Sequence, residues 1–216
     1  MFRVKICGVT RTTDALAAAA SGADAIGLNF VASSPRRVTL EAASELADAV
    51  PPHVQVVGVF ADHSVSDIAR IADRIELSYV QIHGSEPASI AADLPRPYIR
   101  AVRIGETGGT SLLRTVEAWS ALATPPAAFL VDAFSLDAYG GTGLRADWNA
   151  ARNLIDRFPN TPFVLAGGLT PDNVRAAIRQ VQPAAVDVAS GIESSPGVKD
   201  ADRTKRFISE ALEAWR

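Results

Sequence analysis

One cysteine and three histidines are all that the 216 residues offer as soft metal ligands. They stand at no spacing that suits zinc, and no zinc site is expected. The single thiol, Cys7, cannot close a disulfide within its own chain, and secreted proteins seldom leave one unpaired, which points to the cytoplasm. An excess of either charge is also missing. The 21 basic and 24 acidic residues leave a formal charge of −3, with no like-charge run and no basic stripe among aromatics. Nucleic acid is therefore excluded as an expected partner. Nor is there a long apolar run: Met1-Phe2-Arg3-Val4-Lys5-Ile6 interrupts its apolar stretch with charge, which suits neither a signal peptide nor a membrane span. A Walker A sequence and a Gly-x-Gly-x-x-Gly opening a first helix are absent as well.

What remains is an alternation of short β-rich runs with longer alanine-rich stretches of helical period, the pattern of repeated βα units around a parallel sheet. Eight runs fit strands, at about residues 3–7, 25–30, 54–60, 77–82, 97–104, 127–132, 162–166 and 185–189, with helices between them and after the last. Ser64 with Asp67 resembles a capping box, and Thr170-Pro171 sets a hydroxyl before a first-turn proline. Residues 110–123 form the weakest helical pattern, because Gly108 and Gly109 precede it and its apolar face is narrow. The loop from Phe134 to Gly143 is long enough to cover a site. Periodicity alone leaves a (β/α)₈ barrel and a doubly wound sheet both open. The glycine-rich sites follow the last two strands and not the first, which favours a barrel of one domain spanning 1–216.

In such a barrel the downstream strand ends form the mouth where chemistry is done. Alternation puts Arg3, Lys5 and Cys7 on one face of the first strand and Phe2, Val4 and Ile6 on the other, against the helices. Cys7 then points inward at the mouth, although a lone cysteine also serves as a small buried hydrophobe. Ala128, Leu130 and Asp132 share the inward face of the sixth strand; a carboxylate ending that row is costly unless solvated, paired or used. A helix cap is the ordinary alternative for Asp132. Asp137 and Asp187 are rival carboxylates, and Asp187 by its parity also fits an interior ion pair with Lys5. Gly167-Gly168 after the seventh strand and Ser190-Gly191-Ile192 after the eighth suit a phosphate, since glycine lets backbone N–H groups approach an anion closely. Arg36, in a proline-stiffened loop, has the forked donors that hold a carboxylate. His83 either lines the mouth or caps the next helix.

Read together and in order, these pieces resemble the phosphoribosylanthranilate isomerase family. The likeness runs through Lys5-Ile6-Cys7-Gly8, Gly22-Ala23-Asp24-Ala25-Ile26-Gly27, Ser34-Pro35-Arg36, Gln81-Ile82-His83-Gly84, Asp132, Gly140-Gly141-Thr142-Gly143, Leu165-Ala166-Gly167-Gly168-Leu169 and Asp187-Val188-Ala189-Ser190-Gly191-Ile192-Glu193. The resemblance implies a (β/α)₈ barrel and an Amadori rearrangement of a phosphorylated aminosugar in tryptophan biosynthesis, without cofactor, in a monomer or homodimer. It further implies Cys7 as general base, Asp132 as general acid and Arg36 on the anthranilate carboxylate. Lys5, His83 and Gly143 are expected near the substrate, and Gly167, Gly168, Ser190, Gly191 and Ile192 around its phosphate. Two departures stand out: Leu144-Arg145-Ala146 before Asp147-Trp148, where the family more often has lysine and phenylalanine, and Ala189 in place of a frequent serine.

Overall fold

The computed structural model describes residues 1–104, 108–132 and 147–216, and the side chains of these apart from 108–111. Asp137, Gly143 and the expected covering loop lie outside the described residues. Eight parallel strands close into a ring: β1 (Val4–Cys7), β2 (Ala25–Asn29), β3 (Gln55–Phe60), β4 (Tyr79–Ile82), β5 (Tyr98–Arg103), β6 (Ala128–Asp132), β7 (Phe163–Ala166) and β8 (Ala185–Val188). They follow one another in chain order, and β1 pairs with both β2 and β8. The barrel, not the open sheet, is the architecture.

Among the described residues seven α-helices accompany them: α1 (Thr12–Ala20), α2 (Leu40–Ala49), α3 (Val65–Arg74), α4 (Gly108–Ser120), α5 (Trp148–Arg157), α6 (Val174–Val181) and α7 (Ala201–Ala214). Ser64 caps α3 by accepting the Asp67 N–H at 3.1 Å while its hydroxyl donates to the Asp67 carboxylate at 2.7 Å. Thr39, Asp147 and Asp200 cap α2, α5 and α7 in the same manner, each satisfying a backbone donor that the first turn leaves unpaired. The weakly patterned segment does form α4.

The structure corrects four expectations. Between β4 and β5 there is a short 3₁₀ helix, Ala88–Asp93, because Pro87 and Pro95 bracket too few residues for α-helical turns. The Thr170 hydroxyl does not cap α6: a turn intervenes, and the Thr170 carbonyl instead accepts the Asn173 and Val174 N–H groups. A two-stranded hairpin, β9 (Glu193–Ser195) and β10 (Val198–Lys199), follows β8, and strands this short leave no readable period. Finally, the inward–outward alternation begins only at Val4. Phe2 turns into the barrel and meets Tyr79 edge-on at 6.3 Å, whereas Arg3 is exposed with its guanidinium 5.6 Å from the Trp215 ring.

Two apolar layers result. Val4, Ile6, Phe129 and Val131 face outward into the layer beneath the helices, and Ala25, Val57, Ala128, Leu130, Val164 and Ala185 fill the interior. The interior set is rich in alanine, which leaves volume for the long polar side chains of Lys5 and Gln81.

Candidate active site

At the downstream ends of the strands a cavity of about 390 Å³ is lined by Cys7, Arg36, His83, Asp132, Gly167, Gly168, Asp187, Ser190 and Gly191. The residues that the sequence singled out from the ends of β1, β6, β7 and β8 therefore line one cavity. Lys5 does not: its side chain is fully buried below, and its ammonium donates to Asp187 Oδ1 at 2.9 Å and to Gln81 Oε1 at 3.0 Å. Its expected contact with substrate is thus replaced by an interior ion pair, the alternative role that strand parity had offered Asp187. Ile192, expected at the phosphate, is likewise fully buried and does not line the cavity.

Glycine at position 27 of β2 creates the space for this arrangement. A Cβ there would stand 2.9 Å from Cys7 Sγ and 3.1 Å from Lys5 Cε, so any side chain would push the thiol and the lysine stem aside. Burial pushes the Cys7 thiol up from its ordinary value and the Asp187 charge adds to this, outweighing the opposite pull of Lys5 and Lys199. The resting thiol is protonated at neutral pH. Burial alone would lower Lys5, but Asp187 and Cys7 reverse this and hold its charge.

Arg36 is locked from behind. Its Nε and Nη2 donate to the two oxygens of Glu193 at 2.8 and 2.7 Å, a forked pair, and the Lys199 ammonium donates to Glu193 Oε1 at 2.8 Å. Burial would raise the Glu193 carboxyl, and the bonds from Arg36 and Lys199 overcome it and hold the group below its usual range. Two of the guanidinium's donors are spent on Glu193, and those of Nη1 and the second of Nη2 remain for a ligand. Sequence reasoning assigned no role to Glu193 or Lys199. The hairpin that carries them is tied across the first loop by Thr10 Oγ1 donating to the Gly197 carbonyl at 2.6 Å and the Lys199 N–H donating to Asp14 at 2.9 Å.

The glycine loops after β7 and β8 meet each other. Gly167 and Gly168 adopt φ of 87° and 64°, a region that L side chains seldom enter. Asn173 ties the loop down, accepting the Thr170 N–H at 2.8 Å and donating to the Gly168 carbonyl at 2.9 Å. Gly191 packs so closely that a Cβ would lie 1.9 Å from the Leu169 carbonyl oxygen. Ser190–Ile192 winds into a single 3₁₀ turn.

A wider cavity of about 820 Å³ adjoins the first, lined by residues of the loops after β2, β3 and β4 and of β5 and α4, including Asp62, His63, Arg100 and Arg103. It contains neither Cys7 nor Asp132. His83 belongs to both. Among the described residues no cluster of three His, Cys, Asp or Glu side chains could hold a metal ion, and no helix is long and apolar enough to cross a membrane.

A closed parallel barrel whose strand ends converge on a cavity bearing a thiol, carboxyl groups and a guanidinium defines a (β/α)₈-barrel enzyme. Comparison narrows the class. The profile of the N-(5'-phosphoribosyl)anthranilate (PRA) isomerase family matches residues 4–210. An N-(5'-phosphoribosyl)anthranilate isomerase from Pseudomonas aeruginosa is 46% identical over 207 residues, covering 95% of this chain and 93% of its own. The crystal structure of the phosphoribosyl anthranilate isomerase from Thermotoga maritima superposes with a TM-score of 0.85 at 39% identity, over 99% of this chain and all of that one. A phosphoribosyl anthranilate isomerase in complex with reduced 1-(o-carboxyphenylamino)-1-deoxyribulose 5-phosphate matches with a TM-score of 0.83 at 38% identity, over 99% of this chain and 100% of that one. This chain belongs to the PRA isomerase family.

Proposed function

We propose that Cys7 and Asp132 divide between them the aldose–ketose isomerisation of this family. N-(5'-phosphoribosyl)anthranilate becomes 1-(2-carboxyphenylamino)-1-deoxyribulose 5-phosphate, a step of tryptophan biosynthesis. The observation that carries the assignment is that both groups line one cavity at the strand ends. Asp132, protonated when substrate arrives, gives its proton to the furanose ring oxygen, and the ring opens to an iminium ion. Cys7 takes the proton from C2, leaving an enolamine that ketonises to product. No redox change occurs.

The raised thiol pKa is compatible with this order of events. The iminium ion places a positive charge beside Cys7, and a nearby positive charge favours the thiolate. The thiol then releases its own proton to solvent, and the thiolate so formed takes the proton from C2. The unshared donors of Arg36 hold the anthranilate carboxylate, and the backbone N–H groups of Gly167, Gly168, Ser190 and Gly191, with the Ser190 hydroxyl, hold the phosphate. The whole chain acts as one domain in the cytoplasm. Sedimentation distinguishes monomer from homodimer; for the dimeric Thermotoga maritima relative, generated monomers exist as well.

Freshly generated phosphoribosylanthranilate, supplied to the purified protein without added metal, tests the reading. Cys7→Ala and Asp132→Asn should each lower turnover by ~10² to 10⁴, the usual contribution of one acid or base, while still binding a product analogue. Near-normal turnover by either variant refutes its role.

A further inference from the structure

We propose that a buried chain of hydrogen bonds fixes His83 as a neutral imidazole with its proton on Nε2, making it a hydrogen-bond donor to an oxygen of the bound sugar phosphate. The identity of the ligand rests on the isomerase reading; the state of the ring does not.

Donors and acceptors along this chain fix one another. Lys5 is fully buried and charged, and an ammonium can only donate. It donates to Asp187 Oδ1 from the β8 side and to Gln81 Oε1 from the β4 side. Gln81 must therefore turn its carbonyl toward Lys5, which leaves its NH₂ group facing His83 Nδ1 at 3.0 Å. That NH₂ only donates, so Nδ1 must offer a lone pair, and the ring hydrogen sits on Nε2. Reversing the Gln81 amide would set two donors against each other beside a buried cation, and leaving a buried polar group unsatisfied costs about 1–3 kcal/mol. The chain is directional and has one consistent solution.

The surrounding charges agree with it. Burial, and then Arg103 on β5, Lys5 on β1 and Arg100 on β5, depress the His83 pKa to about 4, with Asp187 on β8 alone pulling the other way. Protonating Nδ1 would add another cation to this group and break the bond from Gln81. The backbone of His83 is pinned by its N–H donating to the Phe60 carbonyl at 2.8 Å. With Nδ1 engaged below, the far edge of the ring faces the two cavities that His83 lines. At neutral pH that edge can donate and cannot accept, so it selects an ether, hydroxyl or carboxylate oxygen and does not shuttle protons.

Side-chain ¹⁵N NMR of the intact, unliganded protein tests the ring directly, with His83→Gln identifying the His83 signals among those of His53 and His63. Nδ1 should resonate as an unprotonated nitrogen and Nε2 as a protonated one, unchanged from about pH 8 down to about pH 5.5. A proton on Nδ1, or a midpoint near the ordinary value of about 6.5, overturns the proposal. Gln81→Glu replaces the donor to Nδ1 by an acceptor and should raise the midpoint by at least about one unit; an unmoved midpoint breaks the chain. For the donor role, His83→Leu should raise KM about tenfold while kcat changes less than about threefold, and His83→Gln, which restores an N–H at nearly the same reach, should recover most of the loss. An unchanged KM in a folded His83→Leu protein defeats the donor role while leaving Cys7 and Asp132 in place. Failure of the isomerase reading would show as absent turnover in the unsubstituted protein with the NMR result intact.

Discussion

Cys7 sits between opposing charges, Asp187 holding its proton on and Lys5 pulling it off. Asp187→Asn should therefore lower the thiol pKa and speed alkylation by iodoacetamide at pH 8 by about threefold to tenfold, since only the thiolate reacts. Because the chain has one cysteine, the labelling reports this thiol alone. Slower alkylation would reverse the assigned balance. Glu193 makes a comparable claim on Arg36: Glu193→Gln keeps the shape but loses the charge-assisted fork, and KM should rise about threefold to tenfold with kcat nearly unchanged, in line with the extra strength of such bonds. Steady-state kinetics on the aminosugar check it. Strand parity was enough to pair Lys5 with Asp187. It was not enough to find Gln81 or Glu193, whose partners lie 76 and 157 residues away. In the sequence each looks like any polar residue near a strand end, and only barrel closure gives it something to hold.

At the level of elements, all eight strands fall within two residues of the runs read from the sequence, because a buried parallel strand between glycine and proline punctuation leaves a strong pattern. The connections were less legible. Pro87 and Pro95 reduced one helix to a 3₁₀ turn, and the β9–β10 hairpin is too short to show alternation. The loops after β7 and β8 were readable by their glycines, but their mutual contact was not. Gly191→Ala tests that contact. With a Cβ 1.9 Å from a backbone oxygen, the loop must move, so binding of inorganic phosphate or product analogue should weaken by more than about tenfold. Stability in urea should fall by about 1–3 kcal/mol, as overpacking usually costs. Unaltered binding would show that the two loops do not act together.

For the molecule as a whole, His83 links folding to pH. Its pKa is held at about 4 in the folded state against an ordinary value of about 6.5, so between these values the unfolded chain binds a proton that the folded chain refuses. The stabilisation is complete above about pH 6.5 and is lost as pH falls toward about 4. Urea unfolding at pH 7 and pH 5 should show a smaller loss for His83→Gln than for the parent. An equal loss in both would place the pH sensitivity elsewhere.

Every strand of the ring is hydrogen-bonded on both flanks, which denies other chains a template for strand addition. Outside the ring, the β9–β10 ribbon has backbone groups taken up by neighbouring side chains, the Lys199 N–H donating to Asp14 and the Glu193 carbonyl accepting from Arg203, and it carries the carboxylate that grips Arg36. Loosening this ribbon would release the Arg36 guanidinium while the ring stayed whole.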